Sequence, residues 1–224
     1  MLGRIAFPLY CWCLAVGADY TRSFPKYILR MLVMYAVSQP FYMVALNHGW
    51  NEPNIFLTLA VGLLGLWGMR EKRYGSQYWA PLLAMALAVV LECNYGWAGV
   101  LLMLMLYQVK DSRGAIACVM IAFCLYWGSS SSTLKSLFGV DLTGVGDWPL
   151  GTMLKPFLKL QAMAVLSLPF MLMRHLPQRL ASFRLPKWVS YGLYPAHLLL
   201  LIGLECLQSG GVTAVYNRLM GLVF

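Results

Sequence analysis

The sequence predicts an all-α integral membrane protein, a bundle of about eight transmembrane helices with its N-terminus outside. Three observations carry that reading. Of the 224 residues 60% are apolar and 11% charged, against roughly 25% charged in an average soluble domain. The apolar residues fall into runs approaching the roughly 20 that a helix needs to cross a bilayer. Lysine and arginine alternate between the connections, as expected when basic loops stay in the cytoplasm.

The spans read, in order, over about 5–19, 27–46, 54–69, 78–92, 95–109, 114–130, 157–173 and 188–207. The first, "GRIAFPLYCWCLAVG", holds Pro8, Cys11 and Cys13, lacks a small-residue cleavage site and is followed by further spans, so it is structural and not a cleaved signal. The second carries Arg30 one turn in from its start. The third, "NIFLTLAVGLLGL", is opened by Asn54, a residue that caps helix N-termini, with Thr58 one turn later on the same face. The fourth and fifth meet in a tight turn, "LECNYGWAG". In the fifth, "LLMLMLYQ" is methionine that fills gaps between packed helices. Gly62, Gly65, Gly96 and Gly99 suit close helix approach. The eighth, "YGLYPAHLLLLIGL", is broken by Pro195, which frees a backbone carbonyl and commonly lines a cavity. A last piece, 212–224, is too short to span and is expected at the interface.

The first connection carries Arg22 and Lys26, the third Arg70, Lys72 and Arg73, the fifth Lys110 and Arg113, and the seventh Arg174, Arg179, Arg184 and Lys187. The second ("NHGWNEP") and fourth ("ECN") carry neither lysine nor arginine. Odd connections are therefore cytoplasmic and the chain starts outside. An outside start is an awkward way to begin insertion, so an upstream helix is expected. The sixth connection, 130–157, faces outward; its length and its Leu134, Leu137, Phe138, Val140 and Trp148 suggest a lid or re-entrant segment, with a loose tether as the alternative. The remainder reads as one transmembrane domain over 1–224.

The net charge of +9 is spread over short connections, which fits membrane orientation and no nucleic-acid partner. The six cysteines show no metal-ligand spacing, and no metal is expected. No glycine-rich phosphate loop, serine-nucleophile elbow or paired-carboxylate pattern is present. Ionisable groups within spans are costly and mark function by default. They are Arg4, Arg30, Glu92, His197 and Glu205. Arg4 and Arg30 sit near span ends, where snorkelling to headgroups competes with anion binding. His197, just after Pro195, is either a satisfied core histidine or a general base in a cavity. Glu92, beside Asn94 and Tyr95, is either hydrated or part of a site. His48 and His175 read as solvated.

Taken together, "GRIAFPLYCWCLAVG", "TRSFPKYILRMLVMYAVSQPFY", "NIFLTLAVGLLGL", "YGWAGVLLMLML" and "YPAHLLLL" resemble the TraX family of conjugal transfer proteins, including its TrbP-type members, over nearly the whole chain. The resemblance implies a multi-pass acetyltransferase of the bacterial inner membrane that moves an acetyl group from acetyl-CoA to the amino terminus of a pilin subunit of a conjugative plasmid. The positional reading agrees, because the cytoplasmic basic connections place Arg22, Lys26, Arg70, Lys72 and Arg73 where they would hold the CoA phosphates. Catalysis would fall to His197 as base or substrate-positioning group, with Arg4 and Arg30 polarising the acyl oxygen or holding donor phosphate and Glu92 as a further catalytic candidate. Arg30, Asn54, Tyr95 and Tyr194 would contact substrate. Family members carry an Asp-His pair on a helix ahead of "GRIAFP" that this sequence lacks, and Asn94 stands where the family tends to have an acid. The competing readings are a non-catalytic pilin-assembly scaffold and an acyltransferase acting on a lipid or envelope sugar.

Overall fold

The computed structural model describes residues 2–46, 49, 52–129, 136–137, 140–141, 162–173, 187–207, 212, 213, 215 and 217. Among these lie eight α-helices: α1 (Leu2–Tyr20), α2 (Phe24–Leu46), α3 (Ile55–Glu71), α4 (Ser76–Val90), α5 (Gly96–Val109), α6 (Arg113–Ser129), α7 (Leu168–Leu172) and α8 (Lys187–Leu207). The chain divides into two compact units, Met1–Tyr20 with Leu102–His175 and Thr21–Leu101 with Leu176–Phe224, the division falling within α5.

In the second unit α3 is the central helix, packed on α2 and α4, while α8 packs on α2. The reason is in its sequence: α3 is apolar on all sides, and a helix with no polar face must be surrounded. Leu59, Leu63 and Leu66 are fully buried. Its contact with α4 is close because small residues face each other. Ala80, Ala84 and Ala88, one turn apart, form the buried stripe of α4. A Cβ placed on Gly68 would fall 2.1 Å from the Ala80 Cβ. The Ser76 hydroxyl donates to the Gly68 carbonyl at 2.7 Å, fastening the start of α4 to the end of α3.

Contacts fix α2 and α3 as antiparallel. At one end the Arg70 guanidinium donates to the Thr21 carbonyl at 2.8 Å and Phe24 stacks on Trp67 with ring centroids 6.4 Å apart. At the other, Gln39 of α2 bonds the segment that leads into α3.

In the first unit α1 buries Phe7, Cys11, Leu14, Ala15 and Ala18, a stripe at helical spacing. Phe7 meets Trp127 of α6 at 5.9 Å, and Phe123 meets the same indole at 5.5 Å. The Lys110 ammonium pairs with the Asp19 carboxylate, and Lys110 also sits 4.1 Å from the Tyr107 ring centroid.

The all-helical expectation holds for seven of the eight segments within a few residues. The segment expected at 157–173 differs: its described part is a 3₁₀ turn, Ala162–Ser167, followed by the five-residue α7. Pro169 has no N–H to give the Val165 carbonyl, and the Ser167 hydroxyl donates back to the Ala164 carbonyl at 2.7 Å. In the long connection, Ser136–Leu137 and Val140–Asp141 pair as two-residue antiparallel strands, Ser136 with Asp141 and Leu137 with Val140. Leu134, Phe138, Trp148, His48, His175, Arg174, Arg179 and Arg184 lie outside the described residues, as does most of 212–224.

Among the described residues only α2, 23 residues long, is both long and apolar enough to cross a membrane alone. Ile5–Tyr20, Gly96–Val109, Arg113–Trp127 and Tyr194–Leu207 are apolar but shorter. At about 1.5 Å per residue, the 17 residues of α3 reach roughly 25 Å, short of a hydrocarbon core of about 30 Å.

Candidate functional site

The second unit holds a buried polar cluster where α2 ends and α3 begins. Pro40 interrupts the hydrogen-bond ladder of α2, and the two residues before it, Ser38 and Gln39, are buried. The Gln39 amide clamps the chain around Pro53: its Nε2 donates to the Glu52 carbonyl and its Oε1 accepts from the Asn54 N–H, both at 3.0 Å. Asn54 is fully buried and does two jobs. Its Oδ1 accepts from the Phe56 N–H at 3.0 Å, capping α3, and its Nδ2 donates to the Tyr35 carbonyl at 3.2 Å and the Ser38 hydroxyl at 2.9 Å. The Ser38 hydroxyl in turn donates to the Met34 carbonyl at 2.5 Å. Both amide protons of Asn54 are thus engaged within the fold, which makes it the bolt between α2 and α3.

The α4–α5 turn joins this cluster. The Asn94 amide donates to the Tyr42 hydroxyl at 3.0 Å. The turn is a Schellman motif: the Cys93 N–H bonds the Ala88 carbonyl at 3.0 Å and the Glu92 N–H bonds the Val89 carbonyl at 3.1 Å. That motif needs a left-handed residue at its centre, usually glycine, and here Glu92 takes it with φ of 48°. Glu92 is exposed, and its carboxylate has no hydrogen-bond partner among the described residues. Thr58, 1% exposed, has an Oγ1 without a partner of hydrogen-bonding geometry among those residues. It lies by Cys93, whose thiol pKa is raised by burial, an effect that the Thr58 hydroxyl opposes.

From α8, Tyr194 meets Phe56 edge-on at 4.8 Å, and His197 meets Tyr194 edge-on at 4.9 Å. The cap of α3, Tyr194 and His197 therefore form one continuous contact, with His197 exposed at its end.

The opposite end of α2 and α3 is cationic. Arg22, Lys26, Lys72 and Arg73 are exposed there. Arg70 is held by the Thr21 carbonyl and lies 5.4 Å from the Phe24 ring centroid. Arg73 lies 5.1 Å from the Tyr74 ring centroid.

Of the residues singled out by sequence, Asn54, Tyr194 and His197 are linked through Phe56, and Glu92 and Tyr95 belong to the turn that Asn94 ties to the same end of α2. Arg22, Lys26, Arg70, Lys72 and Arg73 gather at the other end. Arg30 is exposed on α2 with no hydrogen bond or ion pair among the described residues. Glu205 is half-buried in α8. Arg4 belongs to α1 in the other unit, and its side chain lies outside the described residues. Sequence reasoning missed Ser38, Gln39 and Tyr42. The signal was present: two polar residues immediately before a proline, "SQP", inside an otherwise apolar run.

A probable fimbrial assembly protein, FimC of serogroup H1, from Dichelobacter nodosus is 30% identical over 124 residues, covering 51% of this chain and 50% of that protein. The match thus spans half the length of that curated relative. No solved structure matches. The family pattern described as TraX protein matches residues 1–205, nearly the whole length over which the helices and the polar cluster have been traced. The chain belongs to the TraX family.

Proposed function

We propose that this chain is a multi-pass acetyltransferase of the bacterial inner membrane that transfers acetyl from acetyl-CoA to the amino terminus of a pilin subunit. The observation that carries the reading is the segregation of two chemistries to opposite ends of α2 and α3. A cationic end suits the phosphates of a CoA donor, and a neutral polar end with an imidazole and a carboxylate suits an incoming amine. The ends are separated by the roughly 25 Å length of α3, somewhat less than a bilayer's hydrocarbon core of about 30 Å. Family membership supports the pilin as acceptor, and the name of the Dichelobacter relative, a fimbrial assembly protein, supports a partner in pilus assembly.

In this reading Arg22, Lys26, Arg70, Lys72 and Arg73 hold donor phosphates at the cytoplasmic end. The protonated α-amine of pilin, with a pKa near 8, gives its proton to His197, and the free amine attacks the thioester carbonyl. The C–N bond forms, the C–S bond breaks, and the CoA sulfur leaves with a proton. Tyr194 orients His197 by ring contact; Glu92 and Tyr95 receive the ammonium; Asn54 holds the floor on which both helices stand. Arg30 keeps its assignment to the acyl oxygen or the donor phosphates.

The test is the intact mass of pilin from cells with and without the gene, and with a His197→Gln copy. Loss of the mass of one acetyl group on deletion, restored by the wild-type chain and not by His197→Gln, is the expected pattern. Unchanged pilin mass in every strain refutes the acceptor. The word "assembly" in the relative's name favours a second reading, a non-catalytic escort for pilin, and failure of the purified chain to bind acetyl-CoA would select it.

A further inference from the structure

Away from the polar cluster, at the cationic end of α3, a groove of about 460 Å³ runs between α3 and α4. That volume lies within the range of ligand sites, roughly 300–1,000 Å³. Its walls are Leu64 and Trp67 of α3 and Leu83 and Leu87 of α4, its floor the small residues Gly68, Ala80 and Ala84, and its mouth Glu71, Arg73, Tyr74 and Trp79. The groove exists because Gly68 and the alanine stripe bring the two backbones together while the larger side chains flank them.

The mouth is built with care. Residues Lys72, Tyr74 and Gly75 take left-handed conformations, with φ of 53°, 51° and 70°. For a bulky residue such as Tyr74 this is an outlier that surrounding structure must hold. The Trp79 indole donates to the Tyr74 carbonyl at 3.3 Å, the Trp67 indole donates to Glu71 Oε1 at 3.2 Å, and Arg73 lies against the Tyr74 ring. Glu71 and Arg73 line the same mouth yet form no ion pair with each other. Two tryptophans and a tyrosine beside basic residues are the composition of a protein's belt at the headgroup level of a membrane.

We propose that this groove binds one acyl chain of a zwitterionic aminophospholipid, phosphatidylethanolamine, with its ammonium on Glu71 and its phosphate on Arg73. The proposal rests on the membrane reading given above. An acyl chain asks nothing of the walls, which offer it only apolar side chains. The pantetheine arm of CoA carries amides that need partners, and both indole N–H groups and the Ser76 hydroxyl are already donated within the fold. The opposed, mutually unpaired charges match a headgroup of both signs better than an anionic one. The lipid takes Arg73 out of the five donor-phosphate partners named above, so Arg22, Lys26, Arg70 and Lys72 alone hold the donor.

The test uses the full chain in phosphatidylcholine nanodiscs containing a small fraction of brominated-chain phosphatidylethanolamine, phosphatidylglycerol or phosphatidylcholine. Quenching of Trp67 and Trp79 is read as the difference between wild type and Trp67→Phe/Trp79→Phe. Brominated phosphatidylethanolamine is expected to half-quench these two residues at a mole fraction about fivefold lower than the other lipids, the upper end for a partly exposed charge pair. Glu71→Gln should erase its advantage over phosphatidylglycerol, and Arg73→Gln should weaken both. Equal quenching by all three lipids in the wild type, which needs no variant to fold, overturns the site while leaving the membrane reading intact. Quenching of no tryptophan by any lipid overturns both. Relief of quenching by added CoA also overturns it and gives the groove to the donor.

Discussion

Replacing Glu92 by glycine separates strain from chemistry at one position. Glu92 holds φ of 48° at the centre of the α4 Schellman turn, a conformation costing an L-residue roughly 1–2 kcal/mol. Glycine relieves that cost but loses about 0.5–1 kcal/mol more backbone entropy on folding. The carboxylate is exposed and has no partner among the described residues, so removing it forfeits no packing. Glu92→Gly should therefore stabilise the fold by roughly 0.5–1 kcal/mol, about 2 °C in Tm for a chain of this size. Glu92→Ala keeps the left-handed backbone and loses the carboxylate, so its Tm should stay near wild type. Thermal unfolding in one detergent reads stability, and the fraction of acetylated pilin by intact mass reads function. Both variants should lower acetylation to the same extent while moving Tm differently. A lower Tm for Glu92→Gly would refute the strained-turn argument. A higher Tm with full acetylation would remove Glu92 from the site and leave the turn as it is described.

The remaining expectations concern packing and caps. Gly68→Ala places a methyl 2.1 Å from the Ala80 Cβ; both are rigid, so α3 and α4 must separate, and a loss of about 2–3 kcal/mol is expected in denaturant titration. Asn54→Ala strips the α3 cap and both cross-helix donations and should cost about 2–4 kcal/mol, whereas Asn54→Ser keeps the cap and should recover roughly 1 kcal/mol of that. Equal losses in the two would show that the cap contributes nothing. Thr58→Val removes a buried hydroxyl that has no hydrogen-bond partner among the described residues and should leave stability unchanged or raise it by about 1 kcal/mol.

What the sequence determined is what local chemistry decides. Apolar runs bounded by polar residues gave the order of seven helices and most of their ends, because hydrophobic burial and helix capping act over a few residues. Asn54 was legible as a cap for that reason, and the alternation of lysine and arginine anticipated the two unlike ends of α2 and α3 that the Arg70–Thr21 and Gln39–Asn54 bonds realise. The 3₁₀ turn at Ala162–Ser167 escaped a reading that counted apolar residues, since Pro169 and the Ser167 back-bond override composition there. The left-handed Glu92, the Gln39 clamp around Pro53, the Tyr194–His197 contact with Phe56 and the groove between α3 and α4 depended on tertiary structure. Each joins residues distant in the chain or sets a backbone angle that the surrounding fold imposes, and no local preference encodes either.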